Sequence, residues 1–240
     1  MSVAAVAGAL NFRDVGGLPA GSGTTRSGVL FRSGNLARLS DAGRAGLRER
    51  GIRRIVDLRD DDERRFEPSQ VEGLDLETLH VPMFAGSIDS FFDDDLSLDD
   101  LYRALIDGSS TSLVRVAQTV AADQPVLVHC TVGKDRTGLS VALILAAAGV
   151  DEEAILADYA RTEEELPRDR NERVLAYLRR RYPSARHLED LATRSPARAM
   201  AAVFDDLRVR YGGPVEYLRA YGLSDDELEG LRRTLIQRGT

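Results

Sequence analysis

The chain has 240 residues and a formal charge of −7, from 39 acidic and 32 basic side chains. An apolar share of 43% beside 30% charged residues fits a soluble globular protein and excludes a disordered or fibrous one. The acidic balance argues against a broad nucleic-acid footprint, but a small anion site depends only on its local field. One cysteine and three histidines exclude an intrachain disulfide and a multi-cysteine zinc cluster.

Residues 1–35 are punctuated by Gly16, Gly17, Gly21, Gly23 and Gly28 and predict short strands and loops. The first ten residues are apolar but lack a basic region, so no signal peptide is expected. A helix is predicted over 39–50, with Ser40 as N-cap and Gly51 as stop, followed by a buried strand over 52–58. The charge run 60–67 reads as solvated, and 76–81 as another strand. The stretch 82–100 mixes Met83, Phe84, Phe91 and Phe92 with glycine, serine and aspartate, and is a candidate lid as well as an ordinary surface excursion.

Helices are predicted over 98–106 and 110–122. Pro125 opens a short apolar strand, Val126–Val128, which runs into His129 and Cys130, and helical periodicity resumes after Arg136. The apolar run 139–150 is too short to span a bilayer. From Asp151 the chain reads as helices: 151–162, 171–181, 195–209, 216–221 and 225–237, the last with Ser224 and Glu227 spaced as a capping box. No repeat or low-complexity linker divides the sequence, so 1–240 is read as one domain of α/β class, with 151–240 as its helical part.

The order strand, loop, helix puts Cys130 at the C-terminal end of a strand and at the N-terminus of a buried helix. Free N–H groups at a helix start form an anion site, and positive surroundings favour a thiolate. Lys134 and Arg136 supply positive charge, Arg136 as a planar fork suited to phosphate oxygens, and Gly133 and Gly138 permit a tight backbone path. A structural core cysteine is the bland alternative. It does not explain ten consecutive residues of suitable type, His129 to Gly138, between a strand and a helix.

The run His129-Cys130-Thr131-Val132-Gly133-Lys134-Asp135-Arg136-Thr137-Gly138 resembles the signature loop of the protein tyrosine phosphatase superfamily, and within it the atypical tyrosine/dual-specificity phosphatases of the mycobacterial PtpB type. Three further segments agree with that family in order: Asn11–Gly17, Phe31–Asn35, and Ile55–Arg59 followed by Glu63; the tail 204–235 also resembles it. The resemblance implies a central sheet of four to five mainly parallel strands flanked by helices, and a metal-independent, cofactor-independent phosphatase. It implies Cys130 as nucleophile, Arg136 as phosphate clamp, the backbone of Thr131, Val132, Gly133, Lys134, Asp135 and Arg136 as cradle, His129 as a tuner of the thiolate, and Thr137 as its hydrogen-bond donor.

Many members of the superfamily carry their general acid on a Trp-Pro-Asp loop, and this chain has no tryptophan. The acid is expected at Asp57, favoured for its place at a strand end, or at Asp135 within the loop. Lys134 is expected either to meet a further phosphate or to set the field at Cys130, and Arg13, Arg32 and Arg59 are expected along the cleft or simply solvated. The expected substrate is a phosphorylated protein, with a phosphoinositide as the rival and a non-catalytic phosphotyrosine-binding module as the reading of another class. No nucleic-acid partner and no integral membrane association are expected. A lone free thiol suits the cytoplasm, with secretion lacking a signal peptide as the alternative. The sequence carries no signal for oligomeric state.

Overall fold

The computed structural model describes residues 6–83 and 92–238. In chain order its strands are β1 (Arg13–Asp14), β2 (Pro19–Ala20), β3 (Gly23–Thr25), β4 (Leu30–Ser33), β5 (Arg54–Asp57), β6 (Glu77–His80), β7 (Val126–His129) and β8 (Ile236–Arg238). Five form the central sheet in the order β1-β4-β7-β5-β6, with β1 antiparallel to β4 and the other neighbours parallel. The α/β architecture expected from the sequence is therefore present, with β7, the strand that delivers Cys130, in the middle of the sheet.

Period-two alternation explains why helices cover both faces. Leu30, Val56, Val126 and Val128 join the larger core cluster, whereas Phe31, Ile55 and Leu127 point to a smaller one on the opposite face. A sheet buried on both sides reads as a continuous apolar run, as Val126–Val128 does.

The smaller face is closed by α1 (Asp41–Glu49), where Ser40 caps Gly43 N–H as anticipated. A short helix, α2 (Asp61–Phe66), follows β5. The larger face is built from α3 (Leu98–Gly108), α4 (Ser110–Ala122) and α5 (Asp135–Ala148), followed by α6 (Glu152–Glu165). Helix α5 is apolar nearly all round and runs through the core, as a helix without a polar face must. The remaining helices are α7 (Arg168–Arg181), α8 (Leu188–Thr193), α9 (Ala197–Tyr211), α10 (Pro214–Ala220) and α11 (Asp225–Leu235).

Helices Asp61–Phe66 and Leu188–Thr193 are not expected from the sequence, several element ends shift by one to three residues, and two differences change the fold's description. The final helix stops at Leu235, because Ile236–Arg238 pair as β8 with β3, closing a second sheet of order β2-β3-β8. Helix α7 begins at Arg168, directly after Pro167, not at Asn171. Of the candidate lid 82–100, residues 84–91 lie outside the described residues. Its far end is anchored: Phe92 packs with Leu178, Tyr182 and Leu188, and Asp95 pairs with Arg186 at 2.6 Å. Among the described residues no helix is long and apolar enough to cross a membrane.

Candidate active site

The loop from β7 to α5 closes on its own sulfur. Gly133 N–H donates to Cys130 Sγ at 3.3 Å, and Cys130 is 97% buried, being only 3% exposed. Gly133 has φ +77°, and a Cβ there would lie 2.5 Å from the Ser33 backbone, so only glycine fits this bend. The fully buried His129 seats the loop on the sheet. Its Nδ1 lies 3.2 Å from Cys130 O, its backbone carbonyl accepts from Leu58 N–H, and its Nε2 is 3.6 Å from Asp57 Oδ2. Burial holds the imidazole below the usual histidine range, outweighing the attraction of Asp57. Thr137 Oγ1, in the first turn of α5, is buried and has no partner among the described residues.

Two loop carbonyls are tied back. Gly133 O accepts from Asn11 Nδ2 and Arg32 Nη2, both at 3.0 Å, and Thr131 O accepts from Asn35 N–H at 3.0 Å. In a planar trans peptide the N–H points opposite to the C=O. The N–H groups of Lys134 and Val132 are therefore turned away from these tethers, which is the arrangement an anion cradle requires.

The tether behind Gly133 is an ion cluster. Asp158 on α6 receives Arg13 Nε at 2.8 Å and Arg32 Nη1 at 2.6 Å, and Thr162 Oγ1 accepts from Arg13 Nη2 at 3.1 Å. Arg13 and Arg32 are thus interior groups that brace the loop from behind; they do not run along the cleft, because a buried guanidinium is tolerable only where carboxylate and carbonyl oxygens meet it. Burial, with the neighbouring Arg32 charge, brings Arg13 down to about 10. Burial raises the Asp158 carboxyl, but the two arginines outweigh it and hold the group below the usual carboxylate range.

Arg136 is placed by a residue that lay in the charge run read as solvated. Glu63 accepts from Arg136 Nη1 at 2.6 Å and Nη2 at 2.7 Å, and also from Thr131 Oγ1. Burial raises the Glu63 carboxyl, but hydrogen bonds and charge from Arg136, with the Thr131 hydroxyl, bring it down to about 2. Arg136 is conversely raised, since Glu63 and the Cys130 and Asp135 charges outweigh its burial. Glu63 also completes the capping box of α2, accepting from Asp60 N–H. The sequence offered that signal, a strand end followed by Asp60-x-x-Glu63, but the density of charge around it masked it. Asp158 had a signal too: an acidic residue at helical spacing among Ile155, Tyr159 and Thr162.

The two candidate acids sit in different surroundings. Asp57 is 2% exposed, and both its oxygens accept from Arg59: Nε at 2.9 Å and backbone N–H at 3.1 Å on Oδ1, Nη2 at 2.7 Å on Oδ2. Burial raises its carboxyl, but the Arg59 hydrogen bond and nearby positive charge win and hold it below the usual range. Arg59 is itself interior, bonded to Glu67 O at 2.6 Å and Ser69 Oγ at 2.9 Å, so it does not face the cleft. Asp135 begins α5 with its side chain 20% exposed; its Oδ1 accepts from Lys134 Nζ at 2.7 Å and Tyr102 OH at 3.2 Å. Lys134 is buried, and its Nζ also reaches the carbonyls of Asp190 on α8 at 3.4 Å and of Arg194, the residue after α8, at 2.9 Å.

A groove of about 620 Å³ opens beside Thr131 and Val132, with Arg38, Arg170 and Arg173 on its walls. A model of the tyrosine phosphatase family matches residues 4–237. The chain belongs to the tyrosine phosphatase family. It is 32% identical to the triple specificity protein phosphatase PtpB of Mycobacterium tuberculosis, across 98% of this chain and 100% of that protein. It is also 32% identical to a tyrosine-protein phosphatase of Nostoc commune, across 88% of this chain and 75% of that one. A putative tyrosine-protein phosphatase of Cupriavidus necator, H16_A0669, is 33% identical across 62% of this chain and 59% of the relative. The chain is a cysteine-dependent protein-tyrosine/dual-specificity phosphatase related to the PtpB type.

Proposed function

We propose that the enzyme hydrolyses phosphotyrosine in proteins, with tolerance for other phosphate monoesters, through a phosphorylated Cys130. The observation that carries this reading is the loop folded around the Cys130 sulfur, with Gly133 N–H on Sγ and two carbonyls drawn outward. In the first step Sγ attacks phosphorus in line as the ester P–O bond breaks. Backbone N–H groups, the α5 N-terminus and Arg136 meet the charge on the phosphoryl oxygens. Glu63 holds the Nη1 and Nη2 atoms of Arg136, and no described residue bonds its Nε. The edge that carries Nε is the one assigned to phosphate.

Asp135 is proposed as the acid in preference to Asp57. A general acid must be protonated and within reach of the leaving oxygen. Both Asp57 oxygens are engaged with Arg59 in the interior. Asp135 is in the loop, partly exposed, and has one oxygen that no described residue bonds. After the leaving group departs, the Asp135 carboxylate is placed to take a proton from the water that hydrolyses the thiophosphate. Thr137 Oγ1, buried with no partner among the described residues, is assigned to the departing thiolate.

A second reading, activity on phosphoinositides, is favoured by the arginines of the groove beside Thr131 and Val132, which suit additional anionic groups. The description of the mycobacterial relative as triple specificity supports a broad substrate range here. A reducing compartment such as the cytoplasm suits the free thiol nucleophile.

The test is phosphate release from phosphotyrosine peptide, phosphoserine peptide and phosphoinositide vesicles, in chelator and reductant. Phosphotyrosine peptide is expected to give the highest kcat/KM, with activity abolished in Cys130→Ser. A higher kcat/KM on the vesicles replaces the first reading by the second. Binding of phosphate with no turnover of any substrate leaves only a phosphate-reading module.

A further inference from the structure

Two buried tyrosines, which the proposed chemistry does not use, converge on Asp135. Tyr102 on α3 and Tyr159 on α6 are each 1% exposed and meet edge to face, ring centroids 6.1 Å apart. Their hydroxyl oxygens are 2.8 Å apart, and Tyr102 OH is 3.2 Å from Asp135 Oδ1. The carboxylate can only accept, so the single Tyr102 hydroxyl proton goes to Asp135 and Tyr159 donates to Tyr102. Burial keeps both phenols protonated well beyond the usual tyrosine range, with the neighbouring Tyr159 and Asp135 adding to it at Tyr102 and Asp135 adding to it at Tyr159. The relay donates and does not take a proton from the acid.

The close approach of this pair to α5 accounts for a glycine in its first turns. A Cβ on Gly138 would lie 3.0 Å from Tyr159 Cδ2 and 3.2 Å from Cε2. A side chain there pushes Tyr159, and through it Tyr102, off α5. Lys134 Nζ shares Oδ1 with Tyr102 at 2.7 Å, so two donors from different directions fix one oxygen, and no described residue bonds Oδ2.

We propose that Tyr102, backed by Tyr159, is a positioning residue for proton transfer: it pins Asp135 through Oδ1 so that Oδ2 carries the proton to the leaving group. This rests on the reading of Asp135 as the acid. In the step, the S–P bond forms and the P–O bond breaks while the Oδ2 proton moves to the leaving oxygen. The new carboxylate charge falls between Lys134 and the Tyr102 hydroxyl, which are already in place.

The experiment compares kcat/KM for phenyl phosphate, a poor leaving group that needs protonation, with that for dinitrophenyl phosphate, a good one that does not. Wild type, Tyr102→Phe, Tyr159→Phe and Asp135→Asn are used. Asp135→Asn is expected to lose roughly a hundredfold on phenyl phosphate and far less on the dinitro ester. Tyr102→Phe is expected to lose about tenfold on phenyl phosphate and no more than about twofold on the dinitro ester. Tyr159→Phe, which leaves the Tyr102 contact intact, is expected to show the same split at about threefold, and it serves if Tyr102→Phe is not recovered folded. A merely structural role lowers both esters equally, and that result overturns the proposal. If Asp135→Asn splits the two esters and neither tyrosine variant does, the relay is wrong and the acid stands. If Asp135→Asn itself shows no split, the acid assignment and the relay fall together.

Discussion

Glu63 grips Arg136 by both terminal nitrogens, at 2.6 and 2.7 Å, from the first turn of a helix that sequence charge alone marks as solvent-facing. A bidentate pair fixes the plane of a guanidinium as well as its position. Arg136, proposed above as the phosphate clamp, is therefore held in place by the fold itself.

Glu63→Gln is expected to lower kcat/KM by about one to two orders of magnitude, because a misaligned clamp loses transition-state contacts. It also carries a stability signature. The Glu63 carboxyl is held at about 2 against an ordinary 4.5, so its contribution is present above pH 4.5 and is lost as pH falls through about 2. The contribution at neutral pH is on the order of 3 kcal/mol. Denaturant unfolding of wild type and variant at descending pH tests this: the gap between them should narrow from about pH 4.5 downward, whereas a constant gap contradicts the ion pair.

Removing Asp158 strands two interior guanidiniums. Asp158→Ala is expected to cost about 3–5 kcal/mol of unfolding free energy. Because Arg32 also holds Gly133 O, the folded fraction should bind inorganic phosphate more weakly, measured as a raised inhibition constant.

Gly133→Ala puts a Cβ 2.5 Å from the Ser33 backbone at φ +77°. The backbone conformation alone costs about 1–3 kcal/mol, and the overlap adds to it unless the loop moves. Movement of the loop withdraws its N–H groups from phosphate, so inhibition by vanadate should weaken even where the variant is folded.

Asp57→Asn separates an interior ion pair from catalysis. It leaves the Arg59 charge buried with a neutral partner, and the free energy of unfolding should fall by about 3–5 kcal/mol. The ratio of kcat/KM for phenyl and dinitrophenyl phosphate should stay at the wild-type value. A collapse of that ratio returns the acid to Asp57.

The loop and the sheet around it were legible because local chemistry and local pattern coincide there. A short apolar strand, a loop with Gly133 and Arg136 at fixed spacing, and a helix without a polar face leave little room for another arrangement. What stayed hidden depends on distance along the chain. Arg13 and Arg32 are cations on short strands, and only the packing of α6 reveals that Asp158 receives both. Lys134 lies within the loop after β7, yet its ammonium is claimed by the carbonyl of Arg194, 60 residues later in the chain. Asp57 at a strand end has the profile of an active-site group until Arg59, two residues on, folds back over it. Strand β8 was missed because Ile236–Arg238 continue a helical pattern and are diverted only by the free edge of β3.

The central claim is that Cys130 carries the phosphoryl group during turnover. The direct measurement is an acid quench of the enzyme during steady-state hydrolysis of p-nitrophenyl phosphate, followed by peptide mass spectrometry. The account predicts one added phosphoryl group on the peptide that contains Cys130, absent from Cys130→Ser and accumulating further in Asp135→Asn, where water attack is slowed. Turnover by Cys130→Ser at the wild-type rate, or a phosphoryl group trapped on another residue, contradicts it.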